Sequence, residues 1–131
     1  MKYSYKDAIN LLTSVGKFHI SLGLERMEQI LELLGNPQDK LSCIHVAGTN
    51  GKGSVCAILS SVLVSAGKKV GLYTSPHLFK YTERIQICGE KIPDETFAQY
   101  VFEISELADS HGIDLTEFEI LTAIMFKYFL D

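Results

Sequence analysis

The feature that most constrains this chain is a glycine-rich heptad at residues 48–54, Gly-Thr-Asn-Gly-Lys-Gly-Ser. It follows a short apolar, β-branched run at 43–47 and precedes a segment with apolar residues at helical spacing, 55–63. Glycines after a strand allow a tight turn and bring backbone N–H groups close to an anion. A helix N-terminus adds a partial positive charge and unpaired N–H donors. The pattern therefore predicts a strand, a phosphate-binding loop and a helix.

Two side chains of the heptad can complete a polyphosphate site. Lys52 can neutralise the β- and γ-phosphate oxygens of a nucleotide, and Ser54 can place a hydroxyl on Mg²⁺. The alternative is a turn without a ligand, but a lysine at the mouth of a helix has no structural purpose there. The heptad departs from the general G-x-x-x-x-G-K-[ST] form, because Gly53 follows Lys52 directly and Val46 occupies the position of the first glycine.

The rest of the pattern predicts an α/β fold. A second strand is expected at 70–74, so that strand, loop, helix and strand form a βαβ unit with parallel strands and a right-handed crossover. A small hairpin or edge strand with a turn at 89–90 is expected after it. Apolar stripes at helical spacing predict further helices at 8–15, 24–34, 94–107 and 120–130. We therefore predict a P-loop NTPase-like parallel sheet with flanking helices.

The last predicted helix indicates that this sheet is incomplete. Residues 120–130 are apolar on nearly all sides, and no further strand follows them before Asp131. Such a helix is normally buried against a sheet, and two parallel strands with open edges make a poor domain. We expect residues 1–131 to be the N-terminal part of a larger nucleotide-binding domain, with self-association of this chain. The face expected to lack cover consists of Ile120, Leu121, Ile124, Met125, Tyr128 and Phe129.

Composition argues against several other classes of protein. Of the 131 residues, 47% are hydrophobic and 21% charged, which is typical of a globular chain. The formal net charge of −4 argues against a broad nucleic-acid surface. No apolar run approaches the ~20 residues that span a bilayer, and the N-terminus lacks the apolar core of a signal peptide. We expect a cytoplasmic protein with neither a nucleic-acid nor a membrane partner, and with its three cysteines free.

The heptad resembles the phosphate loop of the folylpolyglutamate synthase and dihydrofolate synthase family, within the ATP-dependent Mur ligase superfamily. Residues 22–27, 74–78 and 81–85 are also similar to that family, as is Phe118-Glu119 at the start of an apolar helix. The resemblance runs from about Ile20 to Phe126. It implies a parent ligase that uses ATP and Mg²⁺ to join L-glutamate to the carboxylate of folate or dihydropteroate through an acyl phosphate. It also implies a Mur-ligase-type ATP-binding domain, of which this chain would be the first part.

The resemblance implies roles for individual residues. The ATP-binding residues would be Gly48, Thr49, Asn50, Gly51, Lys52, Gly53 and Ser54, with Lys52 acting in catalysis. Ser54 and Ser75 would bind magnesium, although a Ser-Pro turn also explains Ser75. The pocket of the pteridine-bearing substrate would be lined by Ile20, Ser21, Leu22 and Thr116. Many relatives have Asp in place of Ser21.

Several alternatives remain open at this point. Glu119 could be a catalytic base, but its spacing from Thr116 favours a helix-capping role. His77 could touch phosphate or substrate, and Arg84 could pair with a carboxylate or lie on the outer face of its strand. The chain could bind nucleotide without turnover, or belong to an unrelated P-loop kinase or GTPase. Gly53 after Lys52 and the lack of an N-K-x-D motif count against that last alternative.

Overall fold

The structure is a computed structural model that describes residues 4–15, 23–48, 51–75, 77 and 79–130. Its α-helices are α1 (Tyr5–Val15), α2 (Glu25–Leu33), α3 (Lys52–Ser65), α4 (Asp94–Ser110) and α5 (Glu117–Leu130). Short 3-10 helices lie at Pro37–Lys40 and Tyr81–Arg84. The strands are β1 (Gly71–Tyr73), β2 (Ile85–Ile87) and β3 (Glu90–Lys91). The chain divides into a first unit, Met1–Leu41 with Asp94–Asp131, and a second unit, Ser42–Pro93.

The first unit is a helical cluster with its core between α1, α4 and α5. Both α1 and α5 pack on α4, and α2 packs on α5. The apolar stripe of α4 is buried at Phe97, Val101 and Ile104, as its helical spacing predicts. Leu12 from α1 and Leu121 from α5 are also fully buried. Helices therefore provide the cover for one another in this unit.

The burial of α5 corrects one expectation from the sequence. Four residues of the face expected to lack cover, Ile120, Leu121, Ile124 and Met125, are at most 9% exposed. That prediction is wrong for these four, because α1, α2 and α4 all pack against α5. A helix that is apolar on most sides can be buried by other helices as well as by a sheet. Of the six residues of that face, only Tyr128 and Phe129, near the end of α5, are partly exposed.

The sheet of the second unit is antiparallel throughout. β1 pairs with β2 and β2 with β3, in the order β1-β2-β3. Residues 43–47, the first predicted strand, are irregular and mostly exposed. The predicted parallel pair is therefore not formed within the described part of the chain. A parallel strand is normally covered on both faces and bonded to neighbours, and the exposure of residues 43–47 shows that they lack this cover.

The helix after the loop is also more exposed than its sequence predicts. The helical spacing of its apolar residues predicts a stripe that faces a core, formed by Val55, Ile58, Leu59, Val62 and Leu63. In the structure α3 has no buried residue. Ile58 is 64% and Val62 59% exposed. The predicted burial is therefore wrong, because β1, the strand on which α3 packs, has only 3 residues against 14 in the helix. We call Val55, Ile58, Leu59 and Val62 the apolar face of α3.

The hairpin between β2 and β3 turns over Cys88 and Gly89. Ile87 pairs with Glu90, which leaves these two residues as the loop. The φ angle is 50° at Cys88 and 83° at Gly89, and positive φ at both central residues indicates a type I′ turn. The predicted hairpin is confirmed, with its turn one residue earlier than expected.

None of the helices in the described residues has the length and hydropathy that a bilayer-spanning segment needs.

Replacing Cys88 with asparagine is expected to stabilise the protein by about 1 kcal/mol, since asparagine tolerates the left-handed region better than other side chains with a Cβ atom. Urea denaturation measures the change, with Gly89→Ala as a control that should destabilise the same turn. A loss of stability in Cys88→Asn would contradict this. It would mean that the contact of Cys88 Sγ with the carbonyl oxygen of Lys68, at 3.8 Å, outweighs the backbone cost.

Candidate functional site

The described residues on either side of positions 49–50, in the predicted phosphate loop, form an irregular segment and the start of a helix. Residues 42–48 are irregular, and α3 begins at Lys52. Gly48 has a φ of 148° and Gly51, which caps α3, has a φ of 75°. Both values lie in the region that favours glycine, so the backbone here needs these residues. Thr49 and Asn50 lie outside the described residues.

The N-terminus of α3 carries positive charge. Lys52, Gly53 and Ser54 form its first turn, and all three are exposed. α3, which is described along its whole length, has no acidic residue in its first turn, and its cap residue, Gly51, has no side chain that could accept from the first N–H groups. The first N–H groups of a helix have no intrahelical acceptor. Together with the ammonium of Lys52, they suit a polyphosphate.

Neither the backbone angles nor the packing of the described residues requires a glycine at position 53. Gly53 lies inside α3 and is not among the glycines with positive φ. Apart from its chain neighbours and the backbone of α3 itself, no described residue has an atom within 4 Å of where a Cβ atom would lie at this position. Glycine inside a helix costs roughly 0.5–1 kcal/mol relative to alanine. A ligand can approach the backbone closely where a side chain is missing, and Gly53 leaves such room at the N-terminus of α3. These residues therefore fit a bound phosphate group.

Changing Gly53 to alanine is expected to separate stability from nucleotide binding. The variant should be more stable by roughly 0.5–1 kcal/mol, because alanine is the better helix former. It should bind ATP more weakly, because a methyl group fills the space beside the phosphates. Thermal denaturation and titration of the full-length protein with AMPPNP measure the two effects. Ser61→Ala, further along α3, is the control, and unchanged AMPPNP binding in Gly53→Ala would contradict the role of this glycine.

Ser75, the second magnesium candidate, lies in the exposed segment after β1. The N–H of its neighbour Thr74 donates to the carbonyl oxygen of Arg84 at 2.9 Å, which ties the start of this segment to the 3-10 helix. The described residues contain no group of three or more His, Cys, Asp or Glu that could hold a metal. The candidate ligands Ser54 and Ser75 are hydroxyls, which suit Mg²⁺ when water and phosphate oxygens complete its coordination.

His77, Tyr81 and Arg84 form a cluster after this segment. Arg84 Nε donates to His77 Nδ1 at 2.8 Å. The His77 and Tyr81 ring centroids are 4.3 Å apart, and the guanidinium of Arg84 lies 5.4 Å from the Tyr81 centroid. A ring that accepts at Nδ1 is neutral and carries its proton at Nε2. Arg84 therefore orients a histidine, a role that neither predicted alternative describes.

Thr116 and Glu119, in the first unit, form the predicted capping box. The N–H of Thr116 donates to Glu119 Oε1 at 2.9 Å, and the N–H of Glu119 donates to Thr116 Oγ1 at 3.2 Å. Both residues are 8% exposed. The other residues predicted to line the substrate pocket, at 20–22, lie outside the described residues.

Arg26 completes this arrangement, and sequence analysis missed it. Its Nε donates to Glu119 Oε1 at 3.0 Å and its Nη2 to Glu119 Oε2 at 2.9 Å. Burial acts to raise the pKa of Glu119, but the hydrogen bonds from Arg26 and Thr116 outweigh it and hold that pKa below its ordinary 4.5. Both carboxylate oxygens are occupied, which disfavours Glu119 as a catalytic base. The partners are 93 residues apart, so no local pattern reveals the pair.

Comparison with known proteins gives close relatives over most of the chain. A dihydrofolate synthetase of Saccharomyces cerevisiae is 48% identical over 112 residues, which are 86% of this chain and 26% of that protein. A dihydrofolate synthase/folylpolyglutamate synthase of Bacillus subtilis is 40% identical over 132 residues, covering 98% of this chain and 31% of that protein. No protein-family model matches. The chain thus spans about a quarter to a third of the curated relatives it matches.

Solved structures give the same result. Folylpolyglutamate synthetase from Lactobacillus casei has a TM-score of 0.86 and 36% identity, over 96% of this chain and 33% of that one. A complex of FPGS with AMPPCP and folate has a TM-score of 0.86, with 36% identity over 96% of this chain and 32% of that one. A bifunctional synthase with Mn, AMPPNP and L-glutamate bound has a TM-score of 0.81, with 37% identity over 95% of this chain and 30% of that one.

Proposed function

Because the chain belongs to the folylpolyglutamate synthase and dihydrofolate synthase family, we propose that it forms the phosphate-binding part of an ATP-dependent ligase. The full-length protein would join L-glutamate to the carboxylate of folate or dihydropteroate. The observation that carries the proposal is the mouth of α3, where Lys52 and Ser54 are exposed beside a glycine that the fold does not require. The FPGS structures with AMPPCP and folate, or with Mn, AMPPNP and L-glutamate, support the choice of ligands.

We further propose that residues 1–131 form the N-terminal part of a Mur-ligase-type ATP-binding domain built on a parallel sheet. Among the described residues β1 is an edge strand, so one of its sides can accept another strand. The apolar face of α3 is exposed, as expected for a helix that packs on a larger sheet. Full-length relatives carry at least two thirds of their length outside the segment that matches this chain, which is ample for the missing strands.

The proposed reaction has two steps. An oxygen of the substrate carboxylate attacks the γ-phosphorus of ATP, and the bond from that phosphorus to ADP breaks, which gives an acyl phosphate. The amine of glutamate then attacks the acyl carbon and loses a proton, and phosphate leaves. Phosphoryl transfer depends on positioning and charge neutralisation more than on covalent help from the protein.

The chain's own residues would supply that positioning. The backbone N–H groups of residues 48–54 would bind phosphate oxygens, and the Lys52 ammonium would neutralise charge on the transferring group. Ser54 and Ser75 would hold Mg²⁺, which when bound neutralises further charge on the phosphates. Thr116, with residues 20–22, would line the pocket for the pteridine-bearing substrate.

Coupled measurement of ADP release tests this function. The full-length protein should release ADP only when MgATP, L-glutamate and either folate or dihydropteroate are all present. ADP release that needs neither glutamate nor the pteridine-bearing substrate would contradict it. Comparing the two acceptors also decides between a monofunctional and a bifunctional enzyme.

A second candidate function applies to residues 1–131 alone. With only a quarter to a third of the relatives' length, this chain would bind nucleotide without turnover. Glutamate-dependent ADP release by the purified chain would contradict that candidate.

A further inference from the structure

Arg26 joins the N-termini of two helices of the first unit. α2 begins at Glu25 and α5 at Glu117. From the first turn of α2, the guanidinium reaches Glu119 in the first turn of α5 through two hydrogen bonds, at 3.0 and 2.9 Å. A bidentate pair of this kind fixes orientation as well as distance, which a lysine ammonium does not do.

Glu119 links this pair to Thr116 through two further hydrogen bonds. Glu119 Oε1 accepts from both Arg26 Nε and the backbone N–H of Thr116. Thr116 Oγ1 in turn accepts from the backbone N–H of Glu119 at 3.2 Å. Since the hydroxyl oxygen already accepts a backbone bond, its hydrogen is directed away from that N–H. The carboxylate that Arg26 binds therefore holds Thr116 at its backbone N–H, while the hydroxyl keeps a hydrogen that it can donate.

We propose that Arg26 is a positioning residue for the substrate pocket: through Glu119 it fixes the Thr116 hydroxyl as a hydrogen-bond donor to an acceptor atom of the pteridine-bearing substrate. The acceptor would be a ring nitrogen or a carbonyl oxygen. This inference rests on the proposed function, because it takes Thr116 as a residue of that pocket. The alternative is an ion pair that only stabilises the fold. The two hypotheses predict different folate binding when the pair is replaced without loss of stability.

Equilibrium binding by the full-length protein tests the proposal, with folate and AMPPNP as separate probes. Arg26→Lys keeps the charge but loses the two parallel N–H donors of the guanidinium. The Kd for folate should therefore rise about tenfold, while the Kd for AMPPNP stays within about twofold of the wild-type value. Glu28→Gln removes another charge from α2 and is the matched control that should leave both Kd values unchanged.

A double variant separates positioning from stability. Arg26→Met with Glu119→Gln removes both charges and keeps an amide oxygen that can still cap Thr116. It should melt close to the wild-type temperature and still bind folate about tenfold more weakly. Recovery of folate binding together with stability would overturn the proposal, as would wild-type folate binding by Arg26→Lys.

The variant Thr116→Val shows whether Arg26 and Thr116 act through the same contact with folate. Thr116→Val should weaken the binding of folate but not that of AMPPNP. In the Arg26→Lys background it should cause little further loss of folate binding. Fully additive losses would overturn the positioning role. Failure of the proposed function gives a different result, a wild-type protein that binds AMPPNP but not folate, whatever the Arg26 variants do.

Discussion

Replacing Lys52 with alanine in the full-length protein is expected to lower turnover by about 10²-fold or more, because a fixed cation on a transferring phosphate contributes several kcal/mol to transition-state stabilisation. Stability should change little, since Lys52 is exposed at the start of α3. The coupled release of ADP measures kcat, and thermal denaturation measures stability.

The control for this variant is Lys68→Ala. Lys68 is exposed beyond the other end of α3, so its loss removes the same charge from the same unit without touching the loop. Turnover of Lys52→Ala within about twofold of wild type would contradict the assignment of this loop to phosphoryl transfer.

A lysine at position 62, on the apolar face of α3, is expected to have opposite effects in two forms of the protein. In residues 1–131 alone this face is exposed and should drive self-association, so Val62→Lys should favour the monomer. In the full-length protein, where we propose that a larger sheet covers the face, the same change should cost at least about 1.5–3 kcal/mol of stability.

Sedimentation at several concentrations, with a hydrophobic dye as a second probe, measures the first effect, and chemical denaturation measures the second. Ala57→Lys is the control in the shorter chain, because residue 57 lies across the helix from the apolar face. Two results would contradict this account of α3: a monomeric, dye-silent wild-type chain, or full-length Val62→Lys with wild-type stability.

Features that depend on neighbouring residues were predictable from the sequence. The capping box needs only Thr116 and the residue three positions later, and the structure contains both of its hydrogen bonds. The buried stripe of α4 follows from helical spacing alone. The loop and the start of α3 follow from glycines and a lysine in a single heptad.

Features that depend on distant partners were not predictable in this way. The expected strand at 43–47 and the buried face of α3 both require strands that the described residues do not provide. The cover of α5 comes from three helices rather than from a sheet, which apolarity alone cannot distinguish. The pair between Arg26 and Glu119 links positions 93 residues apart. Sequence patterns therefore locate the candidate phosphate site but not what surrounds it.

The origin of the oxygen in the released phosphate tests the central claim most directly. The full-length protein is given MgATP, L-glutamate and a folate or dihydropteroate labelled with oxygen-18 in the reacting carboxylate, and the inorganic phosphate is analysed by mass spectrometry. If this chain serves a ligase that activates the carboxylate as an acyl phosphate, a labelled oxygen will appear in the phosphate and ADP will be the nucleotide product. Unlabelled phosphate, or label recovered in AMP, would contradict that account.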